Sequence, residues 1–347
     1  MSTHRKNPAA YLAGRAGLAL RIMIAAVVVA GSVAAAATPA AATVVTSIAV
    51  PLCCPISEVA VAGGLVAVSS DSQHGQLLRI DPVTNHVVAR RDLPMSPPGG
   101  DTFAVVDLAV ADGSVWVAMS FENLVYRIDP TTLAIQARIR TGRSPNNIVY
   151  GGGRLWIPQA NDRSVAVINP HSNQVERIVP VGQQNDSTDG PLKIAWGNGE
   201  LLASLPGSGR VAHVSARTYR VTYDAVGADA AACASIVPVP GGYWLDDSDC
   251  GRAYYRWGTS AHAITTHFTA AHLTAGGVYR AGALYLGGSA CGPTGCTQGL
   301  IDKYDATSGA HLAQQIIGTQ ALLPSIVFNS LWTVDLDHSV LQRSALF

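Results

Sequence analysis

The 347-residue sequence is short of charge. Only 13% of its residues are Asp, Glu, Lys or Arg, against 48% hydrophobic. That balance excludes a disordered chain and demands a packed core. Phe (5) and Met (4) are scarce. Apolar spacing of helical period is lacking after the first forty residues, which excludes a helical bundle. A basic tract is missing too. Lys+Arg and Asp+Glu number 23 each, but Arg5, Lys6, Arg15 and Arg21 lie in a first segment with no acid. The remainder carries 19 bases against 23 acids. An electrostatic grip on nucleic-acid phosphates is therefore not expected. There is no Gly-x-Ser-x-Gly elbow, Walker loop, His-Glu-x-x-His or EF-hand loop, and no zinc-type cysteine spacing.

What the chain does have begins at its N-terminus. Residues 1–42 read as a secretory signal peptide: a cationic start, an apolar run from Ile22 to Val29, then small residues at Ala40 and Ala42 for a peptidase. Cleavage after Ala42 is the reading adopted, with Ala37 as the other candidate. An uncleaved anchor is the alternative, but Ile22–Ala37 is short for a span of about 20 residues. The mature protein is expected to be secreted or held at the cell envelope, with no stable membrane span, and to be a monomer.

Six cysteines in an exported chain point to disulfides. Cys291 and Cys296 can close a small Gly/Pro loop. Cys233 and Cys250 fall in one repeat and form a candidate second pair. Cys53 and Cys54 can join as neighbours or reach elsewhere. Spacing selects none of the 15 connectivities six cysteines allow.

A repeat fills the rest. A Gly, two residues and a large apolar anchor recur as Gly63…Val66, Gly113…Trp116, Gly153…Trp156, Gly199…Leu202, Gly241…Trp244 and Gly282…Tyr285, with Asn329…Trp332 as a seventh copy. The anchors are 50, 40, 46, 42, 41 and 47 residues apart, the length of a four-stranded propeller blade. Arg79-Ile80-Asp81-Pro82, Arg127-Ile128-Asp129-Pro130 and Val167-Ile168-Asn169-Pro170 end a further strand in a turn. His213-Val214-Ser215 and Lys303-Tyr304-Asp305 are degraded versions. The longer stretch from Tyr285 to Asp305 makes the Cys291–Cys296 loop an insertion. An all-β, seven-bladed propeller over residues 43–347 is expected. The seventh repeat stops early, and Val44–Pro51 looks like an outer strand. The N-terminal strand should therefore complete the last blade.

The stretch from Leu155-Trp156-Ile157-Pro158 through Val167-Ile168-Asn169-Pro170 to Gln174-Val175 resembles the YVTN-type (YncE-like) repeat, and so does Val115-Trp116-Val117-Ala118 with Ile128-Asp129-Pro130. The resemblance implies a seven-bladed propeller, often exported, in a family that includes binding proteins, surface proteins and enzymes. Two other propeller families fit less well. The Gly-Pro-Asp-Gly and Trp-Phe-Thr-Glu signatures of virginiamycin B lyase-like proteins are missing, as is the Thr-Gly-x-x-x-Trp repeat of quinoprotein dehydrogenases.

Propellers bind ligands at the mouth of the central channel. The residue ahead of each inner apolar segment is Glu58, Asp107, Asn147, Lys193, Ser235, Thr274 or Ser325. In register, these seven would ring one channel mouth and take a small polar ligand or a protein loop. Glu58, Asp107 and Asn147 supply oxygens that could hold Ca²⁺ or Mg²⁺, though no cofactor is required and such residues also simply bind channel water. Asp246-Asp247-Ser248-Asp249 reads as a solvated acidic loop, and the Trp anchors as core. His262 and His267 sit on a predicted strand, facing opposite ways. Asp335, Asp337 and His338 form the one compact acid–His cluster. The functional expectation is an exported binding protein without catalysis. The alternatives are a divalent-metal lyase or lactonase and a structural envelope protein.

Overall fold

The computed structural model describes residues 45–50, 54–61, 64–70, 74–94, 105–183, 186, 188–227, 230, 235–246, 253–270, 272–292 and 295–347. Residues 1–44, Cys53, Cys233 and Cys250 lie outside them, as does the side chain of Cys54. Seven four-stranded antiparallel sheets follow one another along the chain. They are blade 1 (54–93), blade 2 (105–140), blade 3 (149–180), blade 4 (194–225), blade 5 (235–269), blade 6 (273–316) and blade 7 (322–345). Blade 7 takes its outer strand from the other terminus: Thr46–Ala49 runs antiparallel to the C-terminal strand, Thr46 opposite Arg343 and Ala49 opposite Val340. The closure expected from the sequence is present. No helix among the described residues is long and apolar enough to cross a membrane.

The repeats work through backbone geometry. Between inner and second strands the chain turns with two consecutive positive φ angles, as at Asp112 (51°) and Gly113 (69°), or Asn198 (54°) and Gly199 (82°). This is the hairpin turn that matches strand twist, and glycine serves it best. A Cβ on Gly113 or Gly199 would meet nothing within 4 Å, so φ, not space, selects the glycine. Asn329 (56°) fills the same place because Asn tolerates this region.

The second strand is sandwiched between neighbouring blades. All six residues of Ser114–Met119 are buried, so that strand reads as an unbroken apolar run. The outer strand has one wet face, and His86–Leu93 alternates in burial. Trp116, Trp156, Trp244 and Trp332 are fully buried. Three of these indoles donate to the carbonyl five residues back: Trp116 to Ala111 (3.1 Å), Trp156 to Gly151 (3.0 Å) and Trp332 to Val327 (3.2 Å). The anchor thus fills the gap to the next blade and satisfies a buried N–H at once.

Candidate functional site

Strand alternation gives the ring two unlike ends. Inner strands start at the end called upper here, where the second-to-third-strand turns and the inter-blade crossovers also lie. The Gly turns and the third-to-fourth-strand turns lie at the lower end.

The lower end is built from repeated devices. Asp129 Oδ1 accepts from the backbone N–H of Thr131 (2.9 Å) and Thr132 (2.8 Å), and Asp305 Oδ1 from Thr307 (3.0 Å) and Ser308 (2.7 Å). These bonds hold both carboxyls below the usual Asp range. Arg127 lies over Trp116, bonds Ser114 Oγ (2.9 Å) and reaches Pro170 O and Asn173 Oδ1 (both 3.0 Å) in the next blade. Arg343 repeats this from Trp332 and Ser330 to Pro82 O and Asn85 Oδ1. It therefore pins blade 7 to blade 1.

The upper end carries the channel mouth. Asp107 lies opposite Ala118, two residues beyond the Trp116 anchor. Ser235 lies opposite Asp246, two beyond Trp244. Lys193 holds the matching level through Ser204, whose N–H donates to its carbonyl at 2.9 Å. Asn147 adjoins Asp107. Its Nδ2 donates to Asp107 Oδ2 at 2.5 Å, and the N–H of Ile148 adds a bond at 3.1 Å. Asp107 Oδ1 takes the N–H of Leu108 (2.8 Å), and Asn147 Oδ1 takes that of Ile194 (3.4 Å). Each side chain so caps the inner strand of the next blade.

The other three positions are not level with these. Backbone pairing puts Ser57, not Glu58, opposite Val68 two beyond its anchor. Thr274 lies opposite Gly288, three beyond Tyr285, and Ser325 lies opposite Trp332 itself. In blade 6 an irregularity between Thr274 and Gly277 causes the offset, whereas in blades 1 and 7 the pairing is regular from the anchor to Glu58 and Ser325, which stand one and two residues closer to it. The side chains of Glu58 and Thr274 lie outside the described residues, so the three-oxygen set of Glu58, Asp107 and Asn147 does too. Among described residues, no three His, Cys, Asp or Glu converge as metal ligands. Both Asp107 oxygens already accept hydrogen bonds. Lys193 differs: the residue is half-buried, and its ammonium has no partner among the described residues.

Three further features occupy the upper end. A cleft of about 500 Å³ between blades 2 and 3 is lined by Gly142, Gln159, Asp162, Ser164 and Ile178, among others. Arg143 Nε bonds Asp162 Oδ1 there at 2.6 Å. In blade 7, buried Asp335 accepts from Thr319 Oγ1 at 2.8 Å, and His338 Nδ1 lies 3.1 Å from Asp335 Oδ2 and 3.0 Å from Thr319 Oγ1. A catalytic relay needs acid and nucleophile on opposite ring nitrogens. Here both meet Nδ1, so this is not a relay; of the predicted cluster, Asp335 meets His338, whereas Asp337 Oδ2 accepts from Gln320 Nε2 at 2.8 Å. The third feature is the hairpin of blade 6, closed by the Cys291–Cys296 disulfide. Of the remaining sequence candidates, His262 sits in a turn at φ 48°, not on a strand, because the strand begins at Ala263. Asp247, Ser248 and Asp249 lie outside the described residues.

Sequence reasoning missed one cluster altogether. His213 Nδ1 lies 3.1 Å from Glu200 Oε2 and its Nε2 lies 2.8 Å from Asp224 Oδ2. Asp224 also accepts from Tyr243 Oη of blade 5 at 2.8 Å. An imidazole with a carboxylate at each nitrogen can donate to both only as the cation. Burial pushes its pKa down, but Asp224 and Glu200 override this and leave it raised. Desolvation works the other way on Asp224, yet the bonds from His213 and Tyr243 leave its pKa lowered. The missed signal is that Glu200 and Asp224 flank the residues directly opposite His213, Leu202 and Thr222. They are its diagonal neighbours.

No family model and no curated protein sequence matches the chain. Solved structures do match, over nearly the whole chain. The WD40 repeats of RRP9 superpose with a TM-score of 0.69 at 11% identity, covering 89% of this chain and 100% of that one. A catalytically inactive virginiamycin B lyase from Staphylococcus aureus with quinupristin gives 0.63 at 13%, covering 87% and 99%. BamB from Moraxella catarrhalis gives 0.56 at 10%, covering 88% and 99%. At such identities the likeness is one of fold alone.

Proposed function

We propose that the chain is an exported propeller of the YVTN-like kind that binds a polar partner at its upper end without chemistry of its own. The observation that carries this is Lys193. Asp107 and Asn147 spend their polar atoms on one another and on inner-strand N–H groups, while the Lys193 ammonium has no partner among the described residues. A half-buried cation so placed suits an anionic group, on a small molecule or on a protein loop.

The test is thermal unfolding with millimolar citrate, inorganic phosphate and an acidic hexapeptide, on wild type and Lys193→Ala. Binding at 100 times Kd adds about 2.7 kcal/mol, several degrees for a domain of this size. A rise in wild type that Lys193→Ala abolishes supports the reading. Equal behaviour of the two proteins sinks it. A shift with Ca²⁺ or Mg²⁺ alone would instead favour a metal-dependent lyase or lactonase.

A further inference from the structure

The second-to-third-strand hairpin of blade 6 is longer than its counterparts. In blades 2, 3, 4 and 7 it ends three residues past the anchor, as at Met119 opposite Leu124, Gln159 opposite Ser164 or Asp335 opposite Val340, and in blade 1 it ends four past, at Ser70 opposite Gly75. In blade 6 pairing runs on through Ser289–Gly299, Ala290–Gln298, Cys291–Cys296 and Gly292–Gly295. The inner strand of the blade stops pairing at Ser289. On the other edge, Gly299 bonds Ile317 N (2.8 Å) and Gly318 O (2.9 Å), the last contacts there. Beyond those two residues the ribbon is two strands wide and rises about 10 Å, at about 3.3 Å per residue.

Such a ribbon is marginal by itself. The disulfide holds it where no core does: Cys291, Thr297 and Gln298 are exposed. Free strand edges are ordinarily blunted with charge, yet residues 289–299 contain no Asp, Glu, Lys or Arg. What remains is a stiff, uncharged arm whose outward N–H and C=O groups, among the described residues, pair with nothing outside the hairpin. The chemistry that recognises such an edge is another extended backbone.

We infer that this disulfide-locked arm is a strand-pairing dock for an extended segment of a partner polypeptide. It deepens the reading of the upper end as the binding end, but uses different residues. Cross-linking is what makes it effective, because the ordering cost of the arm is met before the partner arrives.

The experiment selects phage-displayed linear heptapeptides on the oxidised full chain, with counter-selection on the Cys291→Ser/Cys296→Ser variant. Enriched sequences are then titrated as free peptides. At least a tenfold loss of affinity in the double variant, at a melting temperature within about 2 °C of wild type, is expected. N-methylation of alternate peptide amides should abolish binding, and methylation of those between should not. Equal affinity for both proteins, or indifference to N-methylation, would overturn the inference. So would a wild-type dimer in light scattering that the double variant breaks, since the arm would then pair with a second copy. Lys193→Ala leaves this binding intact, so the two readings fail separately.

Discussion

The two ends of the ring are made of the same strands and differ in chemistry. At the lower end one solution recurs: Gly turn, Asp-centred turn, Arg laid over the anchor and reaching the next blade. At the upper end the blades differ: an Asp–Asn pair, a Lys with no partner among the described residues, a cleft, an acid–His pair, a disulfide arm. Repetition marks the end that holds the ring together, and variety marks the end free to specialise.

Variants can break that contrast. The largest effect is expected from removing residues 43–51, which strips Thr46–Ala49 from Val340–Arg343 and bares an edge in the middle of the closure. Loss of soluble protein, or a collapse in denaturant midpoint, is the expected outcome, and unchanged melting would show that the ring closes otherwise. Arg343→Met comes next. It removes the bridge to Pro82 and Asn85 and the stacking on Trp332, costing about 2–3 kcal/mol in urea unfolding, with ligand binding at the upper end untouched. Asp107→Asn keeps shape but weakens two inter-blade bonds, and about 1–2 kcal/mol is expected. Arg143→Ala, at an exposed ion pair with Asp162, should cost under about 1 kcal/mol.

His213 sharpens the comparison from between the ends. Its folded pKa is raised, so its contribution is complete below the unfolded value of about 6.5 and is lost as pH rises through the folded value. Urea midpoints should fall across that window in wild type, and His213→Gln should flatten the profile. The lowered pKa of Asp224 acts oppositely: stability present above about pH 4 disappears as pH drops through its folded value.

Blade number and closure were legible because they rest on local rules. A positive φ asks for Gly or Asn, an Asp-centred turn asks for Asp-Pro, and a sandwiched strand asks for unbroken apolar residues. The level of the inner-strand residues was legible in part. Asp107, Lys193 and Ser235 share one level, but Glu58 and Ser325 stand nearer their anchors, and an irregularity at Thr274/Gly277 displaces Thr274. An irregularity of one or two residues leaves no mark in composition. The pairing of His213 with Glu200 and Asp224 stayed hidden for a kindred reason: diagonal neighbours follow from register, and register follows from the fold.

The seal between Ile48 and Leu341 also sets an order of events. Six blades consist of neighbouring hairpins and can form as the polypeptide emerges. The seventh waits, because its first-made strand must be matched with its last-made one across nearly the entire length of the molecule. Entropy makes so distant a meeting slow. Until Thr46–Ala49 and Val340–Ala345 are both free to meet, the circle therefore stays open.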